Sequence, residues 1–128
     1  MKEIIESFYA AFNGHNPEAL GRHLTEDFTQ TTPYAGSITK TQLLKHLEEV
    51  YSLVENKHID PIKWFIDGDE AAVVIESTGK PLGRWMGVEG TGREFSITAV
   101  HLFKTREGLI EHWRPVYNAD QLKKTLSS

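Results

Sequence analysis

Gly92-Arg93-Glu94-Phe95-Ser96-Ile97-Thr98-Ala99-Val100-His101-Leu102-Phe103-Lys104, followed shortly by Glu107-Gly108-Leu109-Ile110-Glu111-His112-Trp113, decides the architecture of this chain. The stretch reads as two long strands joined by a tight turn at Glu107-Gly108. With those two residues at the turn centre, Arg106 opposes Leu109, Lys104 opposes Glu111, Phe103 opposes His112 and His101 opposes Arg114. The strand period of two then sorts side chains onto faces. One face carries Phe95, Ile97, Ala99, His101, Phe103, His112, Arg114 and Val116. The other carries Val100, Leu102, Lys104, Glu111, Trp113 and Tyr117. A cross-strand Lys104–Glu111 ion pair favours this register, and a slip of one residue would invert one strand.

The first face is apolar with two imidazoles and a guanidinium, the usual chemistry of a small-molecule pocket. Histidine exchanges protons near neutral pH, so His101 is the candidate general acid or base. Arg114 beside it would disfavour the imidazolium, and with His112 could hold a substrate oxygen anion. His101, Arg114 and His112 are therefore the expected catalytic group. The competing reading makes both histidines ordinary sheet residues with satisfied hydrogen bonds.

Working outward, residues 1–13 carry Ile4, Ile5, Phe8 and Phe12 at helical spacing. Asn16-Pro17 restarts a short helix that runs to about Leu24, with Asn as cap and Pro at the first position. Phe28 to Thr32 is β-prone. Thr39-Lys40-Thr41-Gln42 fits a capping box ahead of a stripe of Leu43, Leu44, Leu47, Val50, Tyr51 and Val54. Strands are expected over 58–66, 71–77 and 84–88, with Gly79 to Pro81 breaking the run, and Asn118 caps a short last helix. Three helices followed by antiparallel strands is an α+β layout. The length suits one domain over residues 1–128.

Composition excludes several classes. The net charge is −4 with acids and bases interspersed and no basic stripe, so no nucleic-acid partner is expected. There are 0 cysteines, which rules out disulfides, thiolate metal sites and cysteine nucleophiles. No His/Asp/Glu cluster has metal-ligand spacing, and no cofactor is expected. No apolar run approaches the ~18 residues of a membrane span, and residues 1–6 lack the apolar core of a signal peptide, so the cytoplasm is the expected location.

Phe8-Tyr9-Ala10-Ala11-Phe12-Asn13 with Asn16-Pro17-Glu18-Ala19-Leu20, then Asp27-Phe28 to Pro33 and Gly36, then Gly90-Thr91-Gly92-Arg93 and the closing hairpin to Trp113, resemble the SnoaL-like branch of the nuclear transport factor 2-like superfamily. The resemblance implies a cone-shaped, curved antiparallel β-sheet with three N-terminal helices and a short C-terminal helix, enclosing a pocket. It also implies a homodimer through the outer sheet surface, where Trp113 and Tyr117 are expected. Ketosteroid isomerases in the superfamily carry an aspartate, a tyrosine and an acid where this chain has Thr32, Phe8 and Val100, so their activity is not implied. The Asp-Arg-Asp relay of limonene epoxide hydrolases is also missing. His101 sits where many SnoaL-like members carry a pocket-facing Asp or His. Many also carry an Asp after the tryptophan, where this chain has Arg114. The resemblance thus implies a cofactor-independent cyclase, isomerase or dehydratase acting on a small hydrophobic carbonyl compound. Tyr34, Trp64, Trp85, Phe103 and Phe12 are the expected substrate-binding residues. Fold alone does not confer activity, so a non-catalytic ligand-binding protein and a dimerisation module stand as the alternatives.

Overall fold

The computed structural model describes residues 1–127. Helix α1 (Lys2–Asn13) buries Ile5, Phe8, Tyr9 and Phe12, a stripe at spacings of three and four. In α2 (Pro17–Gly21) the Asn16 side chain accepts from the Ala19 amide, the cap expected of Asn-Pro. The helix stops earlier than its sequence suggests, because β1 (Leu24–Thr32) has already begun at Leu24. A short β2 (Gly36–Thr39) leads into α3 (Lys40–Leu53). There Thr39 and Gln42 form the full capping box, and Leu43, Leu47 and Val50 are buried.

The remaining strands are β3 (Val54–Asp67), β4 (Glu70–Pro81), β5 (Arg84–Trp85), β6 (Val88–Glu89), β7 (Phe95–Arg106) and β8 (Leu109–Val116). Helix α4 (Ala119–Ser127) closes the chain, with Asn118 Oδ1 accepting from the Gln121 amide. Six strands form one sheet in the order β2-β1-β8-β7-β4-β3, and β5 and β6 form a separate hairpin. All its neighbours run antiparallel except β1 and β8, which run parallel, so the expected antiparallel sheet is mixed. Helix α1 rests on β3 and β8, and α3 on β1, β2 and β3.

Glu107 (φ 51°) and Gly108 (φ 82°) both take left-handed backbone, the signature of the two-residue hairpin turn. Arg106 faces Leu109 as expected. Beyond it the register departs from the sequence reading, because an extra residue, Glu111, bulges out of β8 between the pairs Thr105–Ile110 and Lys104–His112. Phe103 therefore faces Trp113, Leu102 faces Arg114 and His101 faces Pro115. The expected Lys104–Glu111 pair does not form, and Glu111 instead binds Arg106 at 3.1 Å, which also reaches Asp27 at 2.8 Å.

The bulge exchanges the two faces of β8. Trp113 is 3% exposed and lies inside, edge-on to Phe8 with ring centroids 5.0 Å apart and in parallel stacking with Phe103 at 6.3 Å. Trp113 and Tyr117 thus leave the outer surface, where a dimer was expected to use them. Strand β4 runs through Gly79 rather than breaking there. A methyl on Gly79 would sit 2.6 Å from Val54 Cγ1, so the glycine permits close approach rather than a turn.

The β5–β6 hairpin turns on Met86 (φ 53°) and Gly87 (φ 76°) and is tied down by Gly90 N–H to Gly83 O at 3.1 Å and Gly92 N–H to Pro81 O at 2.9 Å. A methyl at Gly90 would lie 2.5 Å from the Pro81 carbonyl oxygen, which is backbone and cannot swing away. Gly90→Ala is therefore expected to cost ~1–3 kcal/mol, read as a lower urea midpoint with an unchanged slope. A midpoint within error of wild type would show that the hairpin lifts at no cost.

Candidate functional site

A cavity of about 360 Å³ lies between the sheet, α1, α3, the β5–β6 hairpin and α4, at the small end of the ~300–1,000 Å³ range of ligand pockets. Its wall is mostly apolar: Leu43, Leu47 and Val50 from α3, Ile59 and Ile75 from the sheet, and Met86 from the hairpin. Of the expected residues, His101, Phe12, Tyr34 and Trp85 line it. Phe103 and Trp64 do not. Phe103 sits behind the wall in the aromatic cluster with Phe8 and Trp113, and Trp64 packs edge-on to Tyr9 at 6.3 Å beneath Lys2.

Arg114 and His112 are not beside His101. The Glu111 bulge turns Arg114 to the exposed outer face opposite Leu102, and His112 Nδ1 pairs with Thr29 Oγ1 at 2.8 Å across the parallel β1–β8 pair. Neither lines the cavity. The places on β8 that face the pocket belong to Trp113 and Pro115, with Tyr117 following.

His101 is 4% exposed, and its Nδ1 lies 2.9 Å from Tyr9 Oη. Its ring is edge-on to Trp113 at 5.2 Å. Burial, and then the positive charge of Lys57, push its pKa down to about 3, so the imidazole is neutral at any physiological pH. Tyr9 is buried and its pKa is raised, so it stays a phenol. Among the described residues the phenol has no other hydrogen-bond partner. Satisfying its O–H therefore requires donation to Nδ1, which leaves the second ring nitrogen protonated as Nε2–H.

The residue that sequence reasoning missed is Lys57. It is 7% exposed, lines the cavity, and donates a hydrogen bond to Ser77 Oγ. Its ammonium lies 5.5 Å from the Phe12 ring centre and 5.9 Å from that of Phe95. Burial lowers its pKa to about 8. Among the described residues, no carboxylate comes within ion-pair distance of it, and none lines the cavity. The backbone around it is clamped. Asn13 Nδ2 donates to Ile59 O at 2.9 Å, Asn13 Oδ1 accepts from the Ile59 amide at 2.8 Å, and His15 Nε2 is 2.7 Å from Lys57 O. His15 itself stacks on Tyr51, with ring centres 4.4 Å apart.

A strand starting at His58 leaves Lys57 outside the pattern, yet Lys57 is two residues from buried Ile59 and so shares its face. Two further donors in the same wall lack partners: the indole N–H groups of Trp85 and Trp113 find no acceptor among the described residues. No group of three metal-binding side chains occurs among the described residues, and no described helix is long and apolar enough to cross a membrane.

Solved structures with this fold span nearly the whole chain. A candidate polyketide cyclase from Xanthomonas campestris pv. campestris superposes with TM-score 0.89 at 16% identity, covering 98% of this chain and 96% of that one. A second candidate polyketide cyclase, from Pseudomonas putida, gives TM-score 0.85 at 21% identity, with coverage of 97% and 96%. A protein with the ketosteroid isomerase-like fold from Catenulispora acidiphila, solved in complex with trimethylamine, gives 0.83 at 23% identity, with coverage of 97% and 92%. These identities speak for fold alone. No curated protein matches the sequence. The sequence profile of the SnoaL-like domain, however, matches residues 5–113, and the chain belongs to that family.

Proposed function

We propose that the cavity binds a small, largely apolar carbonyl compound and that the protein is a cofactor-independent enzyme of the cyclase, isomerase or dehydratase kind. The observation that carries this reading is His101 in an apolar pocket wall, with its Nδ1 paired to the buried Tyr9 hydroxyl. Membership of the SnoaL-like family supports the reaction type.

His101 works here as a neutral N–H donor. Its pKa of about 3 makes it a poor acceptor of a carbon-bound proton, whereas a fixed N–H in a dry site stabilises charge growing on a carbonyl oxygen. Arg114 and His112, across the sheet from the pocket, have no part in this scheme. Phe12, Tyr34 and Trp85 shape the ligand's apolar body.

The test is α-proton exchange of a panel of small ketones in D2O, followed by NMR, with deuteroxide from solvent taking the proton while the Nε2–H holds the enolate oxygen. His101→Ala is expected to slow exchange ~10²–10³-fold, with His101→Gln, which keeps an N–H donor, in between. Equal rates in all three proteins would remove His101 from the reaction.

The second reading is a non-catalytic binding protein. It is favoured by the absence, among the described residues, of any pocket carboxylate to accept the proton. Saturable binding with no exchange in any ketone would establish it.

The homodimer is proposed to use the outward sheet face, where Leu102 (40% exposed) and Val116 (44% exposed) now stand. Leu102→Lys should then shift the molecular mass measured by light scattering from dimer to monomer. A wild-type protein that is already monomeric overturns this.

A further inference from the structure

Among the described residues, the charge in the pocket wall is all of one sign. Lys57 brings an ammonium and His101, taken with Tyr9 as donor, brings Nε2–H, while the indole N–H groups of Trp85 and Trp113 have no acceptor among the described residues but are closed off within the wall. The wall contains no carboxylate to answer them among the described residues. A buried cation without a counter-ion is costly, and the cost is relieved by an anion, not by a second donor.

We propose that the pocket is a site for an apolar monocarboxylic acid, its carboxylate held by the Lys57 ammonium and the Ser77 hydroxyl and its hydrocarbon body lying along Leu47, Val50 and Ile75. The inference deepens the carbonyl-compound reading by naming an acid function on the same ligand, but it rests on the pocket and not on turnover.

Three features point to anion capture by Lys57 in particular. At pH 7 an amine with pKa about 8 is still mostly ammonium, so it is a better ion-pair partner than a nucleophile. The Phe12 and Phe95 rings that flank Nζ favour the charged form. The clamps of Asn13 and His15 on the Lys57–Ile59 backbone fix where the side chain starts, so little ordering remains to be done on binding.

The site also links back to His101. Positive charge on Lys57 is one of the two causes that depress the imidazole pKa. A bound carboxylate cancels that charge, so His101 becomes more basic only when the acid is in place.

The experiment uses matched ligands on one hydrocarbon body: straight-chain and phenyl-substituted acids of four to nine carbons, each with its primary amide and its amine, and trimethylamine as a compact cation. Binding is read at pH 7 by thermal shift and by calorimetry. At least one acid is expected to bind, at least about tenfold more tightly than its amide, with its amine and trimethylamine inert. Lys57→Met should bring the acid down to the affinity of the amide, and Ser77→Ala should weaken the acid several-fold.

Acid and amide binding alike, an amine or trimethylamine binding better than the acid, or no acid binding at all would each overturn the proposal. So would a Lys57→Met protein that is folded by circular dichroism and keeps the acid preference. Acid binding without ketone exchange leaves this inference standing and removes the enzyme reading. Exchange without acid preference does the reverse.

Discussion

Lys57→Met is expected to stabilise the unliganded protein by about 2–3 kcal/mol at pH 7, a rise of roughly 10 °C in melting temperature. The reasoning is one of linkage. Lys57 titrates at about 8 in the fold against an ordinary value of 10.5, and the cause is burial. At pH 7 the folded protein therefore carries a buried ammonium that the unfolded chain holds in water. Methionine fills a similar volume with no charge to desolvate, and replacing a buried charge by a well-packed apolar side chain is commonly stabilising. Loss of the hydrogen bond to Ser77 offsets part of the gain.

The sign of the pH dependence follows from the same shift. Between pH 8 and 10.5 the unfolded chain binds a proton that the folded chain does not, so wild-type stability rises relative to the variant as pH rises through that window. The gap between the two proteins should be widest below pH 8 and nearly closed by pH 10.5. Tyr9, whose raised pKa acts in the opposite direction at alkaline pH, is present in both proteins and cancels in the difference. Urea unfolding of both proteins from pH 7 to pH 10.5 checks this. A variant less stable than wild type at pH 7, or a gap that does not change with pH, would mean that Lys57 is not a charged, desolvated group. A residue that costs stability and is nonetheless clamped in place by Asn13 and His15 fits a site that favours binding over stability.

Much of the architecture is legible in local chemistry. Asn16 before Pro17 caps α2, Thr39 and Gln42 box the start of α3, and the left-handed pair Glu107-Gly108 turns the closing hairpin. The inner face of that hairpin depends on one residue that leaves a subtler mark. Ile110 and Trp113 are both buried, yet they stand three positions apart, and a regular strand puts such residues on opposite faces. Only a bulge between them reconciles the two, and Trp113, Pro115 and Tyr117 then share one parity. A turn-based register carried straight through Glu111 sends Arg114 and His112 inward, whereas the bulge leaves Arg114 exposed on the outer face of the sheet and His112 half-buried against Thr29.

Lys57 was obscured for a related reason. Asn56, with φ 55°, marks an irregularity in β3 between Glu55 and His58, and a second lies between Pro61 and Lys63. Alternation therefore cannot be read along β3 as a whole, and a lysine is the residue type least expected inside. The inward placement of His101 is legible because β7 is regular from Phe95 to Phe103 and its phase is set by large apolar residues.

Acid is expected to reveal the buried imidazole. His101 titrates at about 3 in the fold and near 6.5 when exposed, so below pH 6.5 the unfolded chain takes up a proton that the folded chain refuses. Stability conferred by the neutral ring is fully present above pH 6.5 and drains away as pH falls toward 3. By pH 4.5 the loss is about 2–3 kcal/mol, from a gap of roughly two pH units. His46, also lowered by burial, adds to the loss with the same sign, and Asp27, held low by Arg106, adds to it at lower pH. Both persist in His101 variants, so the contrast isolates the one ring. His101→Gln is expected to be less stable than wild type at pH 7, because it forfeits ring contacts with Trp113 and Phe103, but to lose much less on going to pH 4.5. Lys57→Met should also soften the acid response, since it removes the positive charge that helps keep His101 neutral. Equal acid losses in wild type and His101→Gln would mean that the imidazole is hydrated, and a hydrated ring could not serve as a fixed donor to a carbonyl oxygen.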